Sequence, residues 1–224
     1  TARYKLGLLY LEKAPTAEAA REFDAILKLD PQSTLAHDGL GRVCLARKEW
    51  DKARAHFSQA LKLNPGLWQA QAFIGASYDQ EHNYAAAVDA YQKAIAMNAN
   101  SAMLYNNLGL SYLLEGEDRS AAEAFVKALK CEPENRRVCN NLGLALCRLG
   151  KYDAALEAFT KASDKAGAYN NLGCFYLQTQ HYGEAVAAFE QAVAAKPSYY
   201  EKAHENLKQA QTALAEEQKR STPE

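Results

Sequence analysis

The sequence predicts an all-α fold in which antiparallel helix pairs repeat along a solenoid, and three observations support this prediction. The pentapeptide Tyr-Asn-Asn-Leu-Gly at 105–109 returns at 139–143, with Cys in first place, and at 169–173. Its glycine belongs to a series with spacings of 34, 34, 34, 34 and 30 residues: Gly7, Gly41, Gly75, Gly109, Gly143 and Gly173. An aromatic series has the same spacings: Phe23, Phe57, Tyr91, Phe125, Phe159 and Phe189. Because two residue types share one register, the chain is an array of one structural unit.

Small residues and prolines divide each repeat into two helices. An alanine lies four residues before every aromatic of the series, and an alanine or isoleucine lies three residues after it. Prolines end four repeats at Pro31, Pro65, Pro133 and Pro197, and Ala99 takes this place in the third. A helix rarely continues through the residue before a proline. Glycine and alanine at facing positions allow the two helices to approach closely and bury the leucine and aromatic side chains.

The succession Leu-Gly-x-x-Tyr, Ala-x-x-x-Phe, Ala and Pro resembles the tetratricopeptide repeat over residues 1 to about 197. Two repeats depart from the pattern by carrying Cys44 and Leu146 where the first helix has an aromatic residue. The resemblance implies a right-handed superhelical solenoid whose first helices line an inner concave surface. The fifth repeat is four residues short, and we expect this loss to shorten a helix end or a connection, since four residues are about one helical turn.

The repeat register predicts a single domain over residues 1–218. Its repeats lie at about 1–32, 33–66, 67–100, 101–134, 135–165 and 166–197, a capping helix at 198–217 and a flexible tail at 218–224. Apolar residues three and four apart predict the capping helix: Tyr200, Ala203, Leu207, Ala210 and Leu214. Because Thr1 falls inside the first helix of a repeat, we expect the chain to belong to a longer protein.

Composition argues against several classes of partner and location. The formal net charge is −1 and the basic residues are scattered, so we expect no nucleic-acid binding. No apolar run reaches the roughly 20 residues of a membrane-spanning helix. Five cysteines without a C-x-x-C pair favour reduced thiols and a cytoplasmic location. A periplasmic or lipoprotein-anchored location stays open if an upstream signal was removed.

The sequence predicts a protein that is not an enzyme and that holds no metal or cofactor. Five histidines form neither H-x-x-x-H nor H-E-x-x-H, and none lies at metal-ligand spacing from a cysteine. Phosphate loops and G-x-S-x-G elbows are absent from the sequence. The remaining function class is the binding of a protein or peptide.

A second stripe on each first helix is the predicted binding surface. The core stripe of the fourth repeat consists of Tyr105, Leu108, Gly109 and Tyr112, and the second stripe lies about 100° around the helix. The family resemblance implies that this second stripe lines a groove. The candidate peptide-binding residues are Asn106, Asn107, Leu110, Leu114, Asn140, Asn141, Leu144, Arg148, Asn170, Asn171, Leu177 and Gln178.

The asparagines have two possible roles. An amide both donates and accepts, so it can bind the main chain of an extended peptide without reading its sequence. Asn107, Asn141 and Asn171 resemble the asparagine ladder found in some tetratricopeptide superhelices, and Leu110, Leu144 and Leu177 would supply the apolar contacts. Alternatively, these amides only satisfy neighbouring polar groups. The sequence leaves both interpretations open.

The charged residues that hold a chaperone's C-terminal carboxylate in some family members are missing here. The matching positions of the first three repeats carry Tyr4, Leu8, Gly39, Gln69 and Phe73, so we expect no binding of heat-shock chaperone C-termini. The sequence therefore predicts a scaffold or adaptor that binds an extended peptide or a partner helix. The alternative is a regulatory or assembly module of a larger protein, such as a bacterial pilus or secretion assembly protein or a segment attached to an enzyme domain.

Overall fold

The computed structural model describes residues 2–13, 15–196 and 201–221. Within these residues it has thirteen α-helices and no strand, which confirms the all-α prediction. The helices are α1 (Ala2–Glu12), α2 (Thr16–Leu29), α3 (Thr34–Ala46), α4 (Trp50–Leu63), α5 (Trp68–Gln80), α6 (Tyr84–Met97), α7 (Ala102–Glu115), α8 (Asp118–Cys131), α9 (Arg136–Arg148), α10 (Tyr152–Ala162), α11 (Lys165–Gln178), α12 (Tyr182–Ala195) and α13 (Glu201–Ser221). Thr1, the closing Pro197, and Ser198 to Tyr200 at the predicted start of the capping helix lie outside the described residues.

The glycine and aromatic series meet inside five helix pairs, namely α1–α2, α3–α4, α5–α6, α9–α10 and α11–α12. A Cβ atom added to Gly143 on α9 would lie 2.5 Å from Cε1 of Phe159 on α10, and one added to Gly41 would lie 2.6 Å from Cε1 of Phe57. The aromatic side chains are themselves buried, with Phe159 the most exposed at 4%. The glycines therefore provide the space that the rings fill, and this explains why both series share one register.

The chain divides into two compact units, Thr1–Gly116 and Glu117–Glu224. In the first, called the N-terminal unit, the first helices α1, α3, α5 and α7 each contact the next one in the series. In the second, called the C-terminal unit, α9, α11 and α13 do the same. Each unit therefore has a surface built from successive first helices, which we call its first-helix face. The single domain predicted over residues 1–218 stays a prediction.

The shortened fifth repeat loses residues at the end of its second helix and in the following connection. Helix α10 has 11 residues, whereas α8 and α12 have 14. It ends at Ala162, and α11 begins at Lys165 with Asp164 as its cap, where Asp164 Oδ1 accepts from the Gly167 backbone N–H at 2.7 Å. The site of the shortening agrees with the sequence-based expectation.

Helix α13 follows the sixth repeat and packs against α11 and α12, with Ala203 and Ala210 fully buried. It continues to Ser221, four residues beyond the predicted end of the capping helix at 217, and the flexible tail stays a prediction. Residues 222–224 lie outside the described part of the chain. Glu, Gln, Lys and Arg are good helix formers, and Lys219 and Arg220 in the last turn favour the helix dipole. Among the described helices, none is both long and apolar enough to cross a membrane.

Candidate functional site

A hydrogen bond between two asparagines connects neighbouring first helices in the C-terminal unit. Asn171 Nδ2 on α11 donates to Asn140 Oδ1 on α9 at 3.2 Å. Asn140 is exposed, whereas Asn141 and Asn171 are half-buried. The amides therefore interact with each other, yet one of them stays open to solvent on the first-helix face.

The second asparagine bridge joins a buried amide to a half-buried one. Asn206 Nδ2 on α13 donates to Asn170 Oδ1 at 2.9 Å, and the Sγ atom of Cys174 lies 3.6 Å from the same nitrogen. Asn170 is only 3% exposed. In the structure α13 covers this amide and hydrogen-bonds to it, and its predicted role in peptide binding stays a prediction.

An exposed row runs along α9. Asn140, Leu144 and Arg148 are separated by four residues each, so they follow one another on the same side of the helix, and all three are exposed. The row spans about 12 Å of helix rise. Arg148 Nε lies 3.2 Å from Asp118 Oδ1 on α8, which positions its guanidinium at the end of the row. The row thus presents an amide, an aliphatic side chain and a cation in succession.

The two candidate residues at the end of α11 have different surroundings. Gln178 is exposed, whereas Leu177 is half-buried and packs against the cluster of Ala185, Phe189 and Ala210. Leu177 follows Gly173 by four residues, the same offset that places Leu113 and Cys147 in buried positions. Cys174, not Leu177, is the register equivalent of Leu144, and the predicted groove contact of Leu177 stays a prediction.

Helix α7 presents an apolar row on the first-helix face of the N-terminal unit. Met103 is 50% exposed and Leu114 is 59% exposed, and half-buried Asn107 and Leu110 lie between them at helical spacing. Asn106 is only 7% exposed, and its predicted role in peptide binding stays a prediction. Its Nδ2 atom donates to Asn107 Oδ1 at 3.4 Å.

A polar network beneath α7 was missed by sequence reasoning. Asp79 Oδ1 on α5 accepts from Ser111 Oγ on α7 at 2.7 Å, and Asp79 Oδ2 accepts from Tyr91 Oη on α6 at 2.9 Å. Burial raises the pKa of Asp79, while the two hydrogen bonds act in the opposite direction. In the sequence, this network could have been recognised from a serine and an aspartate at inward-facing helix positions. The network holds three helices of the N-terminal unit together.

Five cysteines are free, and the pKa of the Cys147 thiol is raised to about 12 by burial. This thiol is therefore protonated at neutral pH and a poor nucleophile. Among the described residues, no group of three or more His, Cys, Asp and Glu side chains is placed to hold a metal ion.

Models of the tetratricopeptide repeat match residues 4–67, 74–136, 136–165 and 166–199. The chain belongs to the tetratricopeptide repeat family. These matches cover most of the sequence and confirm the family that the glycine and aromatic series predicted. A search of curated protein sequences gives no match.

Solved structures of tetratricopeptide proteins share this fold. The crystal structure of MamA is 30% identical, covers 71% of this chain and 93% of its own, and gives a TM-score of 0.64. Pseudomonas aeruginosa pilF is 20% identical over 94% of this chain and 96% of its own, with a TM-score of 0.70. YrrB, described as a TPR protein with an unusual peptide-binding site, is 20% identical over 84% and 99%, with a TM-score of 0.65. The predicted helical repeat solenoid is thereby confirmed.

Proposed function

We propose that this chain is a non-enzymatic scaffold that binds an extended peptide or a partner helix on the first-helix face of its C-terminal unit. The observation that carries the proposal is the exposed row of Asn140, Leu144 and Arg148 on α9. Membership of a family whose repeats typically mediate protein interactions also supports it. The likenesses to YrrB and pilF, at 20% identity, support the fold alone.

The row offers three complementary kinds of contact. An amide has two donors and an acceptor oxygen with two lone pairs, so the Asn140–Asn171 hydrogen bond leaves capacity for a peptide main chain. Leu144 supplies apolar area, and Arg148 supplies a cation at the row's end. Each main-chain hydrogen bond adds about 1 kcal/mol net. A few such bonds with apolar burial give a dissociation constant on the order of micromolar, equivalent to about −8 kcal/mol.

A mutational comparison within one compact unit tests the proposal. Peptides would be selected from a random 12-residue display library against the purified chain, and their affinities measured by isothermal titration calorimetry. Leu144→Asp should weaken binding at least tenfold, because it places a charge where an apolar contact forms. Val126→Asp is the matched control, since Val126 is 43% exposed and lies on the second helix α8. Equal loss of affinity in both variants would contradict the proposed site.

The alternative, an assembly or regulatory module of a larger protein, uses the same surface with a folded partner. Two results together would favour this alternative. The selected peptides would bind no tighter than their scrambled versions, and a folded partner would bind tightly to the wild type but not to Leu144→Asp.

A further inference from the structure

One charged pair in the N-terminal unit occupies two first-helix positions that are uncharged in the other repeats. Arg42 directly follows the repeat glycine, a position that carries Leu8, Ala76, Leu110, Leu144 and Cys174 in the other repeats. Asp38, four residues earlier, occupies the place of Tyr4, Ala72, Asn106, Asn140 and Asn170. The second repeat therefore has an acid and a base where its neighbours have none.

The acid of this pair is buried and holds the base in one orientation. Asp38 is 3% exposed, and its Oδ2 atom accepts from Arg42 Nε at 2.9 Å and from Tyr4 Oη at 3.1 Å. Its Oδ1 atom has no hydrogen-bond partner among the described residues. A buried carboxylate is costly unless it is paired, so Asp38 depends on the Arg42 guanidinium and fixes its Nε edge.

An aromatic ring supports the same guanidinium. Arg42 Cζ lies 4.8 Å from the ring centroid of Phe73 on α5. That ring is in turn stacked on Phe57, with centroids 5.2 Å apart and an interplanar angle of 19°. The guanidinium is thus held by a carboxylate at one edge and by a ring against its face, which reduces the entropy lost when it binds a ligand.

The outer edge of the guanidinium has unused donors. The Arg42 side chain is 31% exposed, and Nη1 and Nη2 make no hydrogen bond to a described residue. These two nitrogens carry four of the five N–H donors of an arginine. Their parallel arrangement matches the two oxygens of a carboxylate.

We propose that Arg42 is a binding point for a carboxylate group of a peptide ligand. Two N–H groups of the Nη1–Nη2 edge donate to the two oxygens, while Asp38 and Phe73 keep the guanidinium in place. Because Asp38 already balances one positive charge, the site suits a singly charged carboxylate better than a doubly charged phosphate. This site lies in the N-terminal unit and does not depend on the row of Asn140, Leu144 and Arg148.

Arginine side-chain NMR on the intact chain tests the proposal. The Nε–Hε signal of Arg42 is identified by its loss in Arg42→Lys, and Arg47 on the same stretch of chain is an internal control. Arg47 is already hydrogen-bonded, with Nε 3.3 Å from Thr16 Oγ1 and Nη2 3.0 Å from the Thr16 carbonyl oxygen. Three probes would be titrated: N-acetylglutamic acid α-amide for a side-chain carboxylate, N-acetylleucine for a C-terminal carboxylate, and inorganic phosphate.

We expect the Arg42 signal to shift in a saturable way with a carboxylate probe, at a concentration at least threefold lower than any response of Arg47. The probe that saturates first identifies the source of the carboxylate. An equal response of Arg42 and Arg47 would overturn the proposal. Saturation by phosphate at a lower concentration than by either carboxylate would overturn it as well. Both comparisons use the wild-type chain, so they stand even if Arg42→Lys does not fold.

Discussion

The 3.2 Å hydrogen bond from Asn171 Nδ2 to Asn140 Oδ1 joins the first helices of two successive repeats. The partly buried bond between Asn206 and Asn170 joins α13 to α11 in the same way. The asparagines of the repeated pentapeptide therefore have structural partners, as one interpretation of the sequence required. Asn140 is exposed, and the proposed function assigns ligand binding to it in addition to its bond with Asn171.

Removing the buried amide should cost more stability than removing the exposed bridge. Asn170→Ala leaves the half-buried Asn206 amide without its oxygen acceptor and should lower the free energy of unfolding by about 1–3 kcal/mol. Asn171→Ala breaks a bond that water can replace at exposed Asn140 and should cost less than about 1 kcal/mol. Urea denaturation of both variants measures the difference. A loss for Asn171→Ala that equals or exceeds the loss for Asn170→Ala would contradict this assignment.

Gly143→Ala should destabilise the helix pair α9–α10. The added Cβ would lie 2.5 Å from Cε1 and 2.6 Å from Cδ1 of Phe159, so the ring or the helix must shift. Overpacking of this kind costs about 1–3 kcal/mol. Gly183→Ala in α12 is the control, since its Cβ meets nothing within 4 Å, and it should raise stability by up to about 1 kcal/mol. Thermal unfolding of both variants checks the opposite signs, and equal signs would be inconsistent with the close approach.

The turn between the two helices of a repeat needs a left-handed backbone. Gly116 and Gly150 adopt φ values of 91° and 71° there, and Lys48, His82 and Gln180 occupy the equivalent positions with φ values of 60°, 58° and 62°. The left-handed conformation costs a residue with a Cβ about 1–2 kcal/mol, partly offset by the entropy that glycine loses on folding. Gln180→Gly should therefore raise the free energy of unfolding by up to about 1 kcal/mol, and Gly150→Gln should lower it. Chemical denaturation of this reciprocal pair measures both changes, and destabilisation by Gln180→Gly would show that the turn is not strained.

Stability should fall in mildly acidic solution because of His56. Burial lowers the pKa of His56 below its ordinary value of 6.5, the neighbouring His37 lowers it further, and Asp24 acts in the opposite direction. Nδ1 of His56 lies 3.3 Å from Nδ1 of His37. The unfolded chain therefore binds a proton at a higher pH than the folded chain. Stability is fully present above the unfolded pKa and declines as the pH falls below it toward the lowered folded pKa.

Urea unfolding at pH 7.5 and pH 5.5 measures this effect in the wild type, in His56→Gln and in His204→Gln, where His204 is an exposed control. The wild type and His204→Gln should lose more stability on acidification than His56→Gln. Equal losses in all three would mean that His56 does not contribute.

The repeat architecture was predictable because its strongest signal is steric. The residue at the position of Gly143 must be small because Phe159 fills the space beside it. A glycine and an aromatic residue therefore recur together along the sequence, and their common spacing gives the register of the helix pairs. The burial of Asn170 could not be read from its own repeat, since it depends on Asn206 of a helix that follows the last repeat. The Asp38–Arg42 pair was visible as two charges, but its burial and the supporting ring of Phe73 emerge only when three first helices are packed side by side.

We propose above that the first helices of the C-terminal unit form the binding surface. Amide chemical-shift mapping with a display-selected peptide tests this proposal. We expect the largest perturbations on α9 and α11, centred on Asn140, Leu144 and Asn171, and we expect Leu144→Asp to abolish them at the same peptide concentration. Perturbations concentrated on the second helices α10 and α12, and unchanged in Leu144→Asp, would contradict it.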